Sequence, residues 1–282
     1  LVPLSVTGTV YDYTSLRGNK QQKFGGGQEN AEKRPLSRPQ EENCRLAGRG
    51  GMCYNTIRKM KKSEEIAMKQ TPAAELLHFI KESPTCYHVT ENIGKKLLAA
   101  GYTALPERER WTLVPGGKYF VQRNGSSTIA FRVPQALAGG FAMAAAHSDS
   151  PTFRLKERPD RRGAHYVQLS TEKYGGMLMS TWFDRPLSVA GRVFVRENGG
   201  IAEKLVNVDR DLLVIPNVAI HMNRSANDGM KYMANVDTLP LLGGRDSGGI
   251  LPIVAKTAGV SEGDILGSDL FLYCRGEGTL LG

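Results

Sequence analysis

Apolar residues first fall into a regular pattern near Thr71. In TPAAELLHFIKES, Ala74, Leu77 and Ile80 share one helical face. Thr71 stands ready as an N-cap, with Pro72 at the first helical position, so a helix is predicted there. VTENIGKKLLAAG predicts a second helix, with Thr90 as N-cap and Gly101 as C-cap. GKYFVQRNGSSTIAFRVP then divides into two β-rich runs around Asn124-Gly125, a hairpin signal. The run GFAMAAAH, ending at His147, is apolar on both faces and predicts a strand central in a sheet.

From about Glu157 to Glu277 the pattern changes. Strand-like runs separated by Gly, Pro and Asp dominate, as in MLMSTWFDRPLSVAGRVFVREN and KLVNVDRDLLVIPNVAIHMNR. Helical periodicity returns only at LPIVAKTAG, before a last strand-like ILGSDLFLY. This block reads as a mainly β domain inserted after the His147 strand. No internal repeat is visible.

Residues 1–66 lack such periodicity. RGNKQQKFGGGQENAEKRPLSRPQEEN is polar and punctuated by Gly and Pro, too poor in apolar residues to order itself. It reads as an ordinary tail, as a basic docking arm, or as mistranslated leader upstream of a start at Met60 or Met68. The net charge of +9 is concentrated here. Up to Gln70 there are 13 Lys and Arg against 7 Asp and Glu, and after it 24 against 21. A nearly balanced body argues against a basic groove and a nucleic-acid partner. No apolar run approaches the roughly 20 residues of a membrane helix. Four scattered cysteines with no C-x-x-C pair fit neither a disulfide framework nor a zinc knuckle, and make a reducing cytoplasm the simplest setting.

The candidate chemistry starts with His147-Ser148-Asp149. Ligands gather beyond the carboxyl ends of central strands, and an aspartate two residues on can orient a metal-binding imidazole. A bare H-x-D recurs by chance, however, and also serves simply to cap a strand. Gly259-Val260-Ser261-Glu262-Gly263 matches a nucleophile elbow, but a helix precedes Ser261 and a strand follows, the reverse of what an elbow needs. His221 closes LLVIPNVAI as a second histidine at a strand end; by composition alone it is a hydrogen-bonded residue of the β block. His78, His88 and His165 read as structural or exposed.

In order, FIKESPTCYHVTENI, ERERWTLVPGGKYFVQRNGSSTIAF, AAAHSDSPTFRLKERP, YGGMLMSTWFDRPLSVAGRV, VIPNVAIHMNR and DILGSDLFLY resemble the aspartyl aminopeptidase family of zinc metallopeptidases, which includes the vacuolar aminopeptidase I type. The resemblance covers about Thr71 to Gly282. It implies an α/β catalytic domain interrupted by a β-rich dimerisation domain, with dimers assembling into larger homo-oligomers. Residues 67–156 would be the N-terminal part of the catalytic domain, 157–276 the dimerisation domain, and 277–282 the start of the catalytic remainder. It also implies two zinc ions bridged by a carboxylate, a glutamate general base, and peptide substrates bound by their free α-amine. Carried onto this chain, His147 is a zinc ligand and Asp149 its companion. His221 would be a dimerisation-domain histidine that reaches the neighbouring subunit's site and steadies substrate or oxyanion. Asp184 and Arg185 belong to a structural signature.

The family's other ligands follow the dimerisation domain, whereas this sequence stops at RGEGTLLG. Two readings follow. One is a zinc aminopeptidase seen in part and inactive by itself, with the choice between acidic (Asp or Glu) and neutral or apolar N-terminal residues left open by the sequence. The other is a catalytically dead subunit that associates with partners through its β domain.

Overall fold

The computed structural model describes residues 71–136 and 140–278; the expected polar extension, 1–66, lies outside them. Helix α1, Pro72–Glu82, begins as the sequence predicts: Thr71 caps it, its hydroxyl accepting from the Ala74 N–H at 3.2 Å. Helix α2 spans Cys86–Ala99, starting before the predicted Thr90, which is buried inside it. Ser83-Pro84-Thr85 makes the turn instead, and Thr85 in extended geometry becomes the N-cap residue. Its hydroxyl is shared with His88 Nδ1 at 2.8 Å rather than with the helix backbone. Gly101, at φ 78°, turns the chain out just past the end of α2.

A small sheet follows, in the order β1 (Thr103–Ala104), β2 (Lys118–Arg123), β3 (Ser127–Arg132). The β2–β3 hairpin turns at Asn124 and Gly125 with φ of 52° and 61°, the left-handed pair that Asn-Gly favours.

The strand expected at GFAMAAAH is not there. Residues 140–147 form no ladder with any described strand, and Phe141 and Met143 are 95 % and 90 % exposed. A run apolar on both faces becomes a strand only when neighbours cover both faces; the described residues supply none, so periodicity alone misled.

The larger sheet is antiparallel throughout and holds the core. Its strands are β4 (Thr152–Arg162), β5 (Tyr166–Tyr174), β6 (Leu187–Glu197), β7 (Gly200–Asn207), β8 (Leu241–Gly244) and β9 (Ile265–Cys274), ordered β7-β6-β9-β4-β5-β8. Phe153, Leu169, Leu187, Val193, Val206 and Leu272 are buried in one cluster, joined by Ile250 and Val254 of helix α3, Ile250–Ala258. Gly249 precedes α3, and a side chain there would collide with the Asp160 carboxylate. That carboxylate accepts from the Ile250 N–H at 3.1 Å, capping from a distance the helix whose own N-cap glycine has no side chain. Ser261 lies between α3 and β9, as a loop residue should.

At the centre of the sheet β6 and β9 approach closely. Gly191, φ 155°, faces the Asp269 carbonyl so tightly that a Cβ would stand 1.9 Å from its oxygen.

Candidate active site

His147, Ser148 and Asp149 sit in a segment without regular structure, so side chains rather than a sheet ladder hold them. Each takes a separate partner. His147 Nδ1 lies 3.1 Å from Asp149 Oδ1. The other carboxylate oxygen accepts a 2.6 Å hydrogen bond from the Tyr174 hydroxyl. Ser148 Oγ donates to the Ser126 carbonyl at 2.9 Å, tying the segment to the β2–β3 turn. That turn is held from its other side by Arg192, whose Nη1 donates to the Asn124 carbonyl at 2.9 Å.

The electrostatics follow from these bonds. Tyr174 first, then His147, hold the Asp149 carboxyl below its usual range. The same bond to Asp149, helped by burial, pushes Tyr174 up to about 12. Asp149 is therefore an ionised acceptor and Tyr174 a neutral donor. The His147 ring is 93 % exposed, and with Nδ1 engaged its Nε2 is the nitrogen that faces outward.

Beside Asp149 lies a cavity of about 260 Å³, lined among others by Cys86, Tyr174, Trp182, Phe271 and Cys274. Burial, then the Asp149 charge, pushes the Cys86 thiol up, which makes it a poor nucleophile.

His221 is placed differently from expectation. The β bridges of LLVIPNVAI end at Ile215, and His221 sits exposed in a turn closed by Met222 N–H to the Ala219 carbonyl at 2.8 Å. Pro216 has no N–H to continue a ladder, and the Asn217 N–H is taken by Asp184 Oδ1 at 2.9 Å. Asp184, at φ 57°, thereby shapes the loop that carries His221. Arg185 donates to the Thr181 carbonyl at 3.2 Å. Within this chain His147 and Asp149 are brought together; His221 makes no hydrogen bond or ion pair with either among the described residues.

The residues do not by themselves fit a zinc ion. Among the described residues, which include all five histidines, no group of three or more His, Cys, Asp or Glu stands close enough to hold a metal. A catalytic zinc ordinarily takes three protein ligands. No helix among them is long and apolar enough to cross a membrane.

Two residues of this neighbourhood escape sequence reading, Tyr174 and Arg192. The signal for Tyr174 was its place just before Gly175-Gly176, where a strand ends in a tight turn. For Arg192 the signal was a charge inside the apolar LSVAGRVFV run.

Residues 79–282 match the family model described as aminopeptidase I zinc metalloprotease (M18). A probable M18 family aminopeptidase 2 of Clostridium acetobutylicum is 43% identical over 220 residues, 74% of this chain and 51% of that protein. The solved structure of Chaetomium thermophilum mApe1 aligns with a TM-score of 0.67 and 36% identity, over 74% of this chain and 52% of that one. The S. cerevisiae mApe1 dodecamer aligns with a TM-score of 0.61 and 25% identity, over 74% of this chain and 49% of that one. The chain thus spans about half the length of the curated relatives it matches. With the match running from α1 through the His147 segment and the whole six-stranded sheet, the chain belongs to the M18 family of aminopeptidase I zinc metalloproteases.

Proposed function

We propose that this chain serves a zinc-dependent aminopeptidase that removes single N-terminal residues, among them Asp and Glu, from peptides. The observation that carries the reading is the His147–Asp149 pair, 3.1 Å apart and held in place by Ser148 and Tyr174, in a chain of this family. His147 would offer Nε2 as one zinc ligand, and Asp149 would orient the ring and raise its basicity. In this reading the remaining ligands of a two-zinc site lie outside the described residues, which by themselves do not complete a working centre.

In this reading residues 67–156 belong to the catalytic domain and 157–276 to a dimerisation domain, with 277–282 leading back to the catalytic one. The exposed Phe141 and Met143 fit a surface that the rest of the catalytic domain covers. His221, exposed on its loop, acts in the neighbouring subunit's site, where a positioned donor steadies the developing oxyanion. A homo-oligomer built of dimers, like the dodecamer of the yeast relative, is the working assembly, and four scattered cysteines support the cytoplasm as its setting.

The test separates the two histidines in the chain complemented with the unmatched half of the Clostridium acetobutylicum relative. His147→Ala should lose both zinc and turnover, whereas His221→Ala should keep zinc and lose turnover by about 100-fold, as for one oxyanion donor. Equal zinc loss in both variants contradicts the assigned roles. The lack of a complete metal-binding group among the described residues favours one second reading, a catalytically dead subunit that associates through its β sheet.

A further inference from the structure

We propose that Tyr174 is a positioning residue that fixes the tautomer of His147 by holding Asp149. The inference rests on the active-site placement of His147 given above for its purpose, but its physical content needs neither metal nor substrate.

An ionised carboxylate only accepts hydrogen bonds. The nitrogen of His147 that faces Asp149 Oδ1, Nδ1, must therefore carry the proton, which leaves the lone pair on Nε2. The proton is held on Nδ1 only while Asp149 keeps its orientation. Asp149 sits in a segment without regular structure, its side chain 35% exposed, and of the local backbone its own N–H is only a lesser contact beside the Tyr174 and His147 bonds. The Tyr174 hydroxyl, 2.6 Å from Oδ2, supplies the second point that fixes the plane.

Tyr174 is itself held by the large sheet. The β4–β5 register pairs Tyr174 with Thr152, three residues beyond Asp149. Its ring meets Phe271 of β9 edge-on, with centroids 5.4 Å apart. Gly175 follows at φ 74° and lies against Pro151, so the chain leaves at once and the ring stays at the sheet end. The bond to Asp149, with burial, also keeps the proton on Tyr174 through the physiological range. The sheet thus reaches the exposed histidine through one tyrosine and one aspartate, and orients it without touching it.

Long-range ¹H–¹⁵N correlation spectra of the full 282-residue chain, recorded above the histidine pKa, read the tautomer directly. In the unaltered chain His147 should be mainly Nδ1–H and should differ from the exposed His165 in the same sample. Tyr174→Phe keeps the ring against Phe271 and removes only the hydroxyl. It should lower the Nδ1–H to Nε2–H ratio of His147 by about fivefold, the effect of one ordinary net hydrogen bond, towards the His165 value. Asp149→Asn is a second variant should the first misfold: its amide can donate to Nδ1 and should reverse the tautomer. An unchanged ratio in a folded variant, or an unaltered chain in which His147 already matches His165, overturns the proposal. Zinc content and turnover play no part in this readout, so it can fail while the peptidase reading stands, and the reverse.

Discussion

Arg192 of β6 and Asp269 of β9 stand directly opposite each other, with Arg192 Nε donating to Asp269 Oδ2 at 2.9 Å. Arg192 is 5% exposed, and its guanidinium also donates to Glu203 Oε2 at 3.2 Å and to the Asn124 carbonyl. It lies 4.1 Å from the Tyr87 ring centroid on α2. Arg154 donates to the other oxygen of Asp269 at 2.6 Å. One buried charge therefore joins α2, and the β2–β3 turn that holds Ser148, to the centre of the large sheet.

Removing that guanidinium leaves the Asp269 and Glu203 carboxylates without it in a partly buried site. Arg192→Ala should destabilise the fold by about 3 kcal/mol, at the low end for a broken buried pair because both carboxylates keep some solvent. Thermal melting checks this: a fall of about 6–12 °C is expected for a chain of this size. A fall of less than about 2 °C would mean that the cluster is not a fastening point.

Gly191 should tolerate no side chain. A Cβ 1.9 Å from the Asp269 carbonyl oxygen forces β6 and β9 apart at the middle of the sheet. Gly191→Ala should cost about 3 kcal/mol or more, read as a lower urea midpoint or as loss of soluble protein. Gly176→Ala, where a Cβ meets open space, is the control.

The His88 imidazole gives the fold a pH dependence. Burial lowers it from 6.5 to about 4. The folded state thus resists a proton that the unfolded chain takes up. Its stabilising contribution is complete above pH 6.5 and lost as pH falls towards 4. Melting temperature should drop across that window, by the equivalent of about 1–2 kcal/mol after allowing for the ring's partial exposure. In His88→Gln the slope should flatten, and an equal slope in both proteins would rule His88 out. Asp269 acts at lower pH. Burial raises its carboxyl, but the Arg192 hydrogen bond, that of Tyr87 and the arginine charges hold it below 3.8. Its contribution is full above 3.8 and lost only as pH falls further.

Where structure is decided locally, the sequence is a good guide. The start of α1 follows from Thr71-Pro72 and the hairpin from Asn124-Gly125. The start of α2 was misplaced because two threonines compete, and the Ser-Pro turn selects Thr85. The expected strand at GFAMAAAH failed because its neighbours are not a local property. The His147–Asp149 pair is two residues apart and legible. Tyr174 reaches Asp149 across 25 residues and Arg192 reaches Asp269 across 77, distances bridged only by strand register.

On the proposed function, His147 and Asp149 are one part of a zinc aminopeptidase site whose other ligands lie outside the described residues. The direct measurement is zinc content together with hydrolysis of Asp- and Leu-initiated peptides, for the 282-residue chain alone and for the chain complemented with the unmatched half of the Clostridium acetobutylicum relative. The chain alone should show neither tightly held zinc nor turnover, and the complemented assembly both, with both lost in His147→Ala. Two tightly held zinc ions and turnover from the chain alone would contradict it, as would a folded, zinc-loaded complemented assembly that cleaves neither peptide.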